Sequence, residues 1–501
     1  MSNPVDRTFI DPVTINVLIV GDGRLRYDNS DGKKFNDDYS LSLMIEGLKQ
    51  KSGPLIRLST TTAYRSPKEH IRKPSDPDGP DSNGEGADIA NFKFKCTDLA
   101  DKYDEVWILG DQSETLKDGK PEIVTTQLTA CELCALQEFM DGGGGVFATG
   151  DHESLGASIN AYVPRVRAMR VWRDGPGTKP DTRYNTLQPT DVNPNGSEAD
   201  TFPQQIIPTR YKGFVHPLLD GPTGNVDVLP DHIHEGKCLD KISEPDLDDF
   251  PGKGNPLPIV VALSNRNQLG PEKRFPAIGA YDGHLAGVGR VVVDASFHHF
   301  VKQNLKLYLP KPAANPVSNS ANVTAGEANY EKIKTYHQNI AIWLARPKNQ
   351  RDMFMRALWE VRWRSRVRGR LLMGAVDASK LKPEENADFL FALGSDGMDG
   401  LIQLIPRSFA LLWAIQTFKH LLGGDVLSSV LYPWLQGNEG LPPPGASVSD
   451  DEILAMIGGV MIELAFRFPK PPEKVIDTLP QELESITLEG ALIGLKAVNQ
   501  L

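Results

Sequence analysis

Runs of apolar residues punctuate the N-terminal part of the chain, each closed by small or polar residues. INVLIVGDG carries one run to Asp22, PLIRLSTTTAY another to the threonines around Thr60, and DEVWILGDQSE a third to Asp111. GGVFATGDHE follows to Asp151, PLPIVVALSN to Asn265, and GRVVVDASFHH to His298. Unbroken Val/Ile-rich runs of this kind are the pattern of strands covered on both faces. Between them lie segments with apolar residues at helical spacing, DDYSLSLMIEGLKQ after the first run and TTQLTACELCALQEFM after the third. Alternating strands and helices predict an α/β domain at residues 12–310, built on a doubly wound, mostly parallel sheet. Residues 173–257, rich in Pro, Gly and Asp, are a long insertion in it, expected to form an ordered lid or site wall.

Residues 311–325, within PKPAANPVSNSANVTA, read as a linker. From 326 to 501 the apolar positions recur at helical spacing, as in NQRDMFMRALWEVRW and SDDEILAMIGGVMIELAFRF. An all-α C-terminal domain is the expectation, with Ser449 and Glu452 spaced as a capping box.

Bulk composition narrows the function classes. A chain of 501 residues exceeds one ordinary core, and 40% hydrophobic with 24% charged residues is ordinary for a soluble globular protein. The net charge of -11 argues against nucleic acid as the main partner. RWRSRVRGR is a local exception, with arginines at every second position from Arg362 to Arg370 and Trp359 and Trp363 close by. It is expected to serve a domain or subunit interface. No run approaches bilayer length, and MSNPVDRTFIDPVTIN lacks the apolar core of a signal peptide, so a cytoplasmic protein is expected. Of four cysteines, Cys131 and Cys134 form a CxxC whose helical setting predicts packing on a helix face rather than redox or metal chemistry.

The chemistry gathers at strand ends. In open α/β sheets ligands bind at the carboxyl edge, which places Asp22, Asp111, Asp151, His152, Glu153 and His298 around one cleft. Seven of the ten histidines fall between His152 and His299. A histidine exchanges protons near neutrality, and a carboxylate beside it orients the ring. His152 and His298 are therefore the candidate acid–base pair, with Asp151 and Asp22 orienting them. Of the adjacent pair His298 and His299, one is expected to face the cleft, and His298 is chosen. DHIHEG adds His232 and His234, an HxH spacing that suits one divalent ion. A Zn, Mn or Fe ion held by His152, His232, His234 and His298 is one reading; a metal-free cleft of hydrogen-bonded histidines is the other. Arg165 and Arg167, on the segment after the Asp151 turn, are expected to bind substrate together with Asp111 and Glu153.

GGGGVFATGDH, with its glycine-rich approach, strand and terminal histidine, resembles the class I glutamine-amidotransferase-like superfamily. GVGRVVVDASFHHF is similar to the late strand of its ThuA-like (trehalose-utilisation) branch. The resemblance covers about 300 N-terminal residues. It implies a flavodoxin-like sheet, His152 and His298 as site histidines, and a link to sugar metabolism. Amidotransferases carry a nucleophilic Cys at the turn that here reads Ala148-Thr149-Gly150-Asp151, so glutaminase chemistry is not expected; Thr149 is the residue that could stand in. Two readings stay open. One is an enzyme acting on a small polar, carbohydrate-derived substrate by hydrolysis, elimination or isomerisation. The other is a non-catalytic binding or scaffold protein whose helical domain mediates assembly, as a homo-oligomer or with a protein partner.

Overall fold

The computed structural model describes residues 11–28, 39–50, 55–65, 84–112, 116–117, 120–121, 126–152, 154–172, 204–211, 214–222, 224–230, 235–239, 241–254, 256–265, 274–306, 320–373, 386–422, 450–470 and 479–498. They fall into two compact units. One takes its residues from 15–50 and 58–346, the other from 1–14, 51–57 and 347–501.

The α/β unit is organised on a nine-stranded sheet. In chain order the strands are β1 (Val13–Gly21), β2 (Ile56–Tyr64), β3 (Glu105–Leu109), β4 (Gly145–Thr149), β5 (Gln204–Pro208), β6 (Val228–Leu229), β7 (Ile259–Asn265), β8 (Arg274–Tyr281) and β9 (Val291–Asp294). Their order across the sheet is β6-β5-β7-β8-β9-β4-β3-β1-β2. The pairs β1/β3, β3/β4 and β4/β9 are parallel, whereas β8/β9, β7/β8, β5/β7 and β5/β6 are antiparallel. The sheet is thus mixed. The expectation missed β8, whose FPAIGAY run lies close after β7 in sequence. The eight residues between β7 and β8 are too few for a parallel crossover, which needs a dozen or more, so the pair is antiparallel. The insertion supplies β5 and β6 at the sheet's edge.

Every residue of β3, β4 and β9 is buried, which is why these runs show no polar alternation. Helices α1 (Ser42–Lys49) and α3 (Ala130–Asp141) follow strands as the spacing predicted, and α2 (Cys96–Lys102), which the spacing did not mark, lies between them. A capping box opens α3: Thr129 accepts from the Glu132 backbone N–H, and the Glu132 carboxylate accepts from the Thr129 N–H. Cys131 and Cys134 do not pack. Glu132, Ala135, Leu136, Phe139 and Met140 form the buried side of α3, which leaves both thiols exposed.

Helix α4 (Ser320–Leu344), assigned from the sequence to the helical domain, belongs with the α/β unit. It buries Tyr336, Ile340, Trp343 and Leu344, and the Tyr336 hydroxyl donates to Asp294 Oδ2 at 2.6 Å. Residues 311–319 of the expected linker lie outside the described residues.

The second unit is helical: α5 (Pro347–Arg362), α6 (Ser365–Met373), α7 (Ala387–Leu401), α8 (Arg407–Leu422), α9 (Asp450–Arg467) and α10 (Leu479–Val498). The Arg/Trp segment ends α5 and forms α6, so its arginines do not share one face. Arg366 pairs with Asp399 at 3.0 Å, Arg370 with Asp396, and Arg364 donates to Gln403 at 2.6 Å, which docks α6 on α7 and the turn after it. Ser449 of the expected capping box lies outside the described residues. Among the described residues, no helix is long and apolar enough to cross a membrane.

Candidate functional site

Register along the parallel strands builds the site. Gly21 sits opposite Leu109, Leu109 opposite Thr149, and Thr149 opposite Asp294. The residues that follow these positions therefore emerge along one edge, which brings Arg24, Asp111, Asp151, His152 and His298 together. With Tyr39 and Leu155 they line a cavity of about 450 Å³.

Asp151, one of the lining residues, is buried. Its Oδ2 is 3.6 Å from His298 Nε2 and 3.8 Å from His152 Nε2, within ion-pair distance of both imidazoles but beyond hydrogen-bond length. Ser296 Oγ donates to Asp151 Oδ1 at 2.9 Å. The turn that carries Asp151 is closed by its own N–H donating to Leu155 O at 3.0 Å. Arg170, itself buried, donates to the Asp151 carbonyl at 2.8 Å and to those of Asp294 and Ala295. His298 sits in a short 3-10 turn, Phe297–His299, rather than on an extended strand. Its Nδ1 lies 3.0 Å from Asn304 Oδ1, and Phe297 stacks on its ring at 4.4 Å.

The cavity is also lined by a fixed cation, Arg24. Arg24 grips Asp111 with Nε at 3.0 Å and a terminal nitrogen at 2.6 Å, while its backbone N–H donates to Asp111 Oδ2 at 2.7 Å. Its other terminal nitrogen donates to the Tyr39 hydroxyl at 3.1 Å. Burial opposes the charge on Arg24, but Asp111 outweighs it and raises the guanidinium pKa. Gly23 turns the chain here at φ 62°, where a Cβ would strike the Asp111 carboxylate. Arg24 and Tyr39 were not singled out from the sequence. Arg24 had a signal, since it follows a strand end like the other site residues; Tyr39 had none.

Several expected site residues do other work. Asp22 does not line the cavity. It is fully buried beneath the edge, its Oδ1 accepting from the Asp111 N–H at 2.7 Å and the Gln112 N–H at 3.2 Å. Burial lifts its pKa to about 7 against those backbone hydrogen bonds, and the Asp111 charge adds to the rise. Arg165 and Arg167 do not reach the cavity either. Arg165 is buried on Asp141 and the Asp249 backbone, and Arg167 holds the Asp249 carboxylate at 2.6 and 2.7 Å. Their nearby acidic partners take up the charge that the sequence offered to substrate. Thr149 is buried, its hydroxyl 3.3 Å from the Asp294 carbonyl. Glu153, His232 and His234 lie outside the described residues. Among the described residues no group of three His, Cys, Asp or Glu side chains is arranged to hold a metal ion.

Behind the cavity wall lies a second polar cluster. His299 turns away from His298 into the core, its Nδ1 2.6 Å from Asp294 Oδ1 and its Nε2 3.1 Å from Glu235 Oε1 and 2.8 Å from Gln204 Oε1. Burial alone would neutralise His299, but Asp294 and Glu235 outweigh it and lift its pKa to about 10. This cluster ties the insertion, through Gln204 and Glu235, to β9 and to Tyr336 of α4.

No family model and no curated protein matches the chain. Among solved structures, "Cytoplasmic Protein STM3548 from Salmonella typhimurium" aligns at 12% identity, over 66% of this chain and 99% of that one, with a TM-score of 0.32. A likeness of that size says nothing of what this chain does.

Proposed function

We propose that the chain is an enzyme in which His152 and His298 work as an acid–base pair about Asp151 on a small polar, carbohydrate-derived substrate. The observation that carries this reading is the approach of both Nε2 atoms to one Asp151 oxygen, at 3.6 and 3.8 Å, in the wall of a cavity. A carboxylate between two imidazoles suits a proton held on one ring and accepted by the other. In this scheme one Nε2 takes a proton from a substrate O–H or C–H, and the other delivers one to the departing or receiving oxygen. Arg24 and the Tyr39 hydroxyl, in the same cavity lining, bind substrate oxygen. Hydrolysis, elimination and isomerisation all fit this set, and none needs a Cys nucleophile.

A flavodoxin-like winding, and with it the amidotransferase-like, ThuA-like kinship, belongs to the same proposal. It draws support from the sequence of neighbours β2-β1-β3-β4-β9, the 2-1-3-4-5 order of flavodoxin-like sheets. In the metal-assisted version, His152, His232, His234 and His298 would hold a Zn, Mn or Fe ion, which would polarise a carbonyl or activate water. Elemental analysis of the untagged protein beside His232→Ala/His234→Ala separates the versions: stoichiometric metal lost in the double variant selects it.

The test is turnover of a panel of free sugars, sugar acids and sugar phosphates, followed by proton NMR. His152→Asn and His298→Asn should each lower the turnover found in the wild type by about 10²-fold or more, with little change in Tm. Wild-type binding of a panel member without conversion would replace the enzyme by the binding-protein reading.

A further inference from the structure

We infer that Ser296 is a positioning residue that holds the carboxylate of Asp151 in the orientation that turns one of its oxygens to the two histidines. This rests on reading His152, Asp151 and His298 as the working centre. Ser296 is fully buried in the turn between β9 and Phe297–His299. Its Oγ accepts from the His298 backbone N–H at 3.2 Å, and its single hydroxyl proton is directed at Asp151 Oδ1 at 2.9 Å. A hydroxyl has one proton to give, so this bond occupies Oδ1 and leaves Oδ2 turned to His152 and His298. The same side chain therefore sets the carboxylate rotamer and holds the backbone beneath one of the imidazoles.

Ser296 is itself anchored from behind. Its N–H donates to Asp294 Oδ1 at 3.0 Å, and Asp294 is clamped by His299 at 2.6 Å and by the Tyr336 hydroxyl at 2.6 Å. The charged groups around Asp151 are His152 and His298 at its carboxylate, Arg170 at its carbonyl, and Arg24 in the same cavity lining. Asp294, His299 and Glu235 stand one layer further back. Without the hydroxyl, the carboxylate can turn about its terminal torsion, which is broad, and neither oxygen is held toward the two rings. The rigid cluster then no longer dictates the hydrogen bonding of the two rings.

The experiment uses the full chain with isotope-labelled histidine and reads ring-nitrogen chemical shifts, which report tautomer and hydrogen bonding. His152→Asn and His298→Asn assign the two rings, and Asp151→Asn supplies the reference without the carboxylate. Ser296→Ala is expected to move the His298 and His152 signals toward their Asp151→Asn positions. His299, whose partners Asp294 and Glu235 are untouched, is expected to stay. Wild-type shifts for His298 and His152 in Ser296→Ala would overturn the inference. So would a displacement of His299 as large as theirs, because that is what a loosened turn produces. Turnover enters nowhere in this readout, so a wild type without activity would remove the enzyme reading and leave the positioning role standing.

Discussion

Asp22 shows how one side chain can serve a site without entering it. Its carboxylate gathers the N–H groups of Asp111 and Gln112, and so fixes the turn from which Asp111 holds Arg24. That arrangement has a cost that depends on pH. The folded pKa of about 7 lies above the ordinary 3.8, so the folded chain binds this proton more tightly than the unfolded one. Stability from this group is complete below the ordinary value and falls as pH rises through about 7, by roughly 4 kcal/mol in all. Asp22→Asn keeps an acceptor for the two N–H groups and is neutral at every pH. Urea unfolding at about pH 5 and about pH 8 should show a smaller loss in Asp22→Asn than in the wild type. Parallel losses in the two proteins would mean that Asp22 does not hold its proton in the fold.

Helix packing in the second unit depends on missing side chains. Gly490 of α10 lies against α9 so closely that a Cβ there would stand 2.4 Å from Val460 Cα. Gly459 on the facing helix is equally crowded, its Cβ position 2.0 Å from the Gly490 carbonyl oxygen. In an exposed helix interior Gly→Ala stabilises by about 1 kcal/mol, because it restricts the unfolded chain. At this seam the sign reverses, since backbone rather than a yielding side chain meets the new methyl. Gly490→Ala should destabilise the helical unit by about 1–3 kcal/mol, read as a lower midpoint in denaturant. A stabilised variant would show that α9 and α10 do not approach at this point. The same unit absorbs the Arg/Trp segment. Arg366 pairs with Asp399 and Arg370 with Asp396, which joins α6 to α7.

The division of the chain into two units does not follow the change in its hydrophobic period. α4 has helical spacing like everything after it, yet it packs on the sheet. Trp343 lies 4.5 Å under the Arg290 guanidinium, and the Trp343 carbonyl accepts from Arg290 at 2.8 Å. Losing that contact would leave Arg290, which is fully buried, without one of its acceptors. A chain ending after Arg346 should therefore keep a cooperative thermal transition, while one ending after Lys306 should lose it or melt far lower. Equal melting of the two truncations would show that α4 is dispensable to the α/β unit.

Strand ends are local properties of sequence, which is why Asp111, Asp151, His152 and His298 are legible as neighbours from the order of residues alone. Apolar runs mark where β1, β3, β4 and β9 stop, and parallel pairing puts such stops on one edge. Partner choice is not local. Nothing in the sequence near Arg165 and Arg167 shows that Asp141 and Asp249 meet them, or that Arg24 and Tyr39 line the cavity instead. Nor does a strand-like run reveal which neighbour it pairs with, so β8 and the antiparallel half of the sheet are not evident in it. The chain's periodicity set the elements and their exposed ends because burial acts on each segment alone. Only tertiary packing decided which charges are consumed in salt bridges, because that depends on groups far apart in sequence meeting in space.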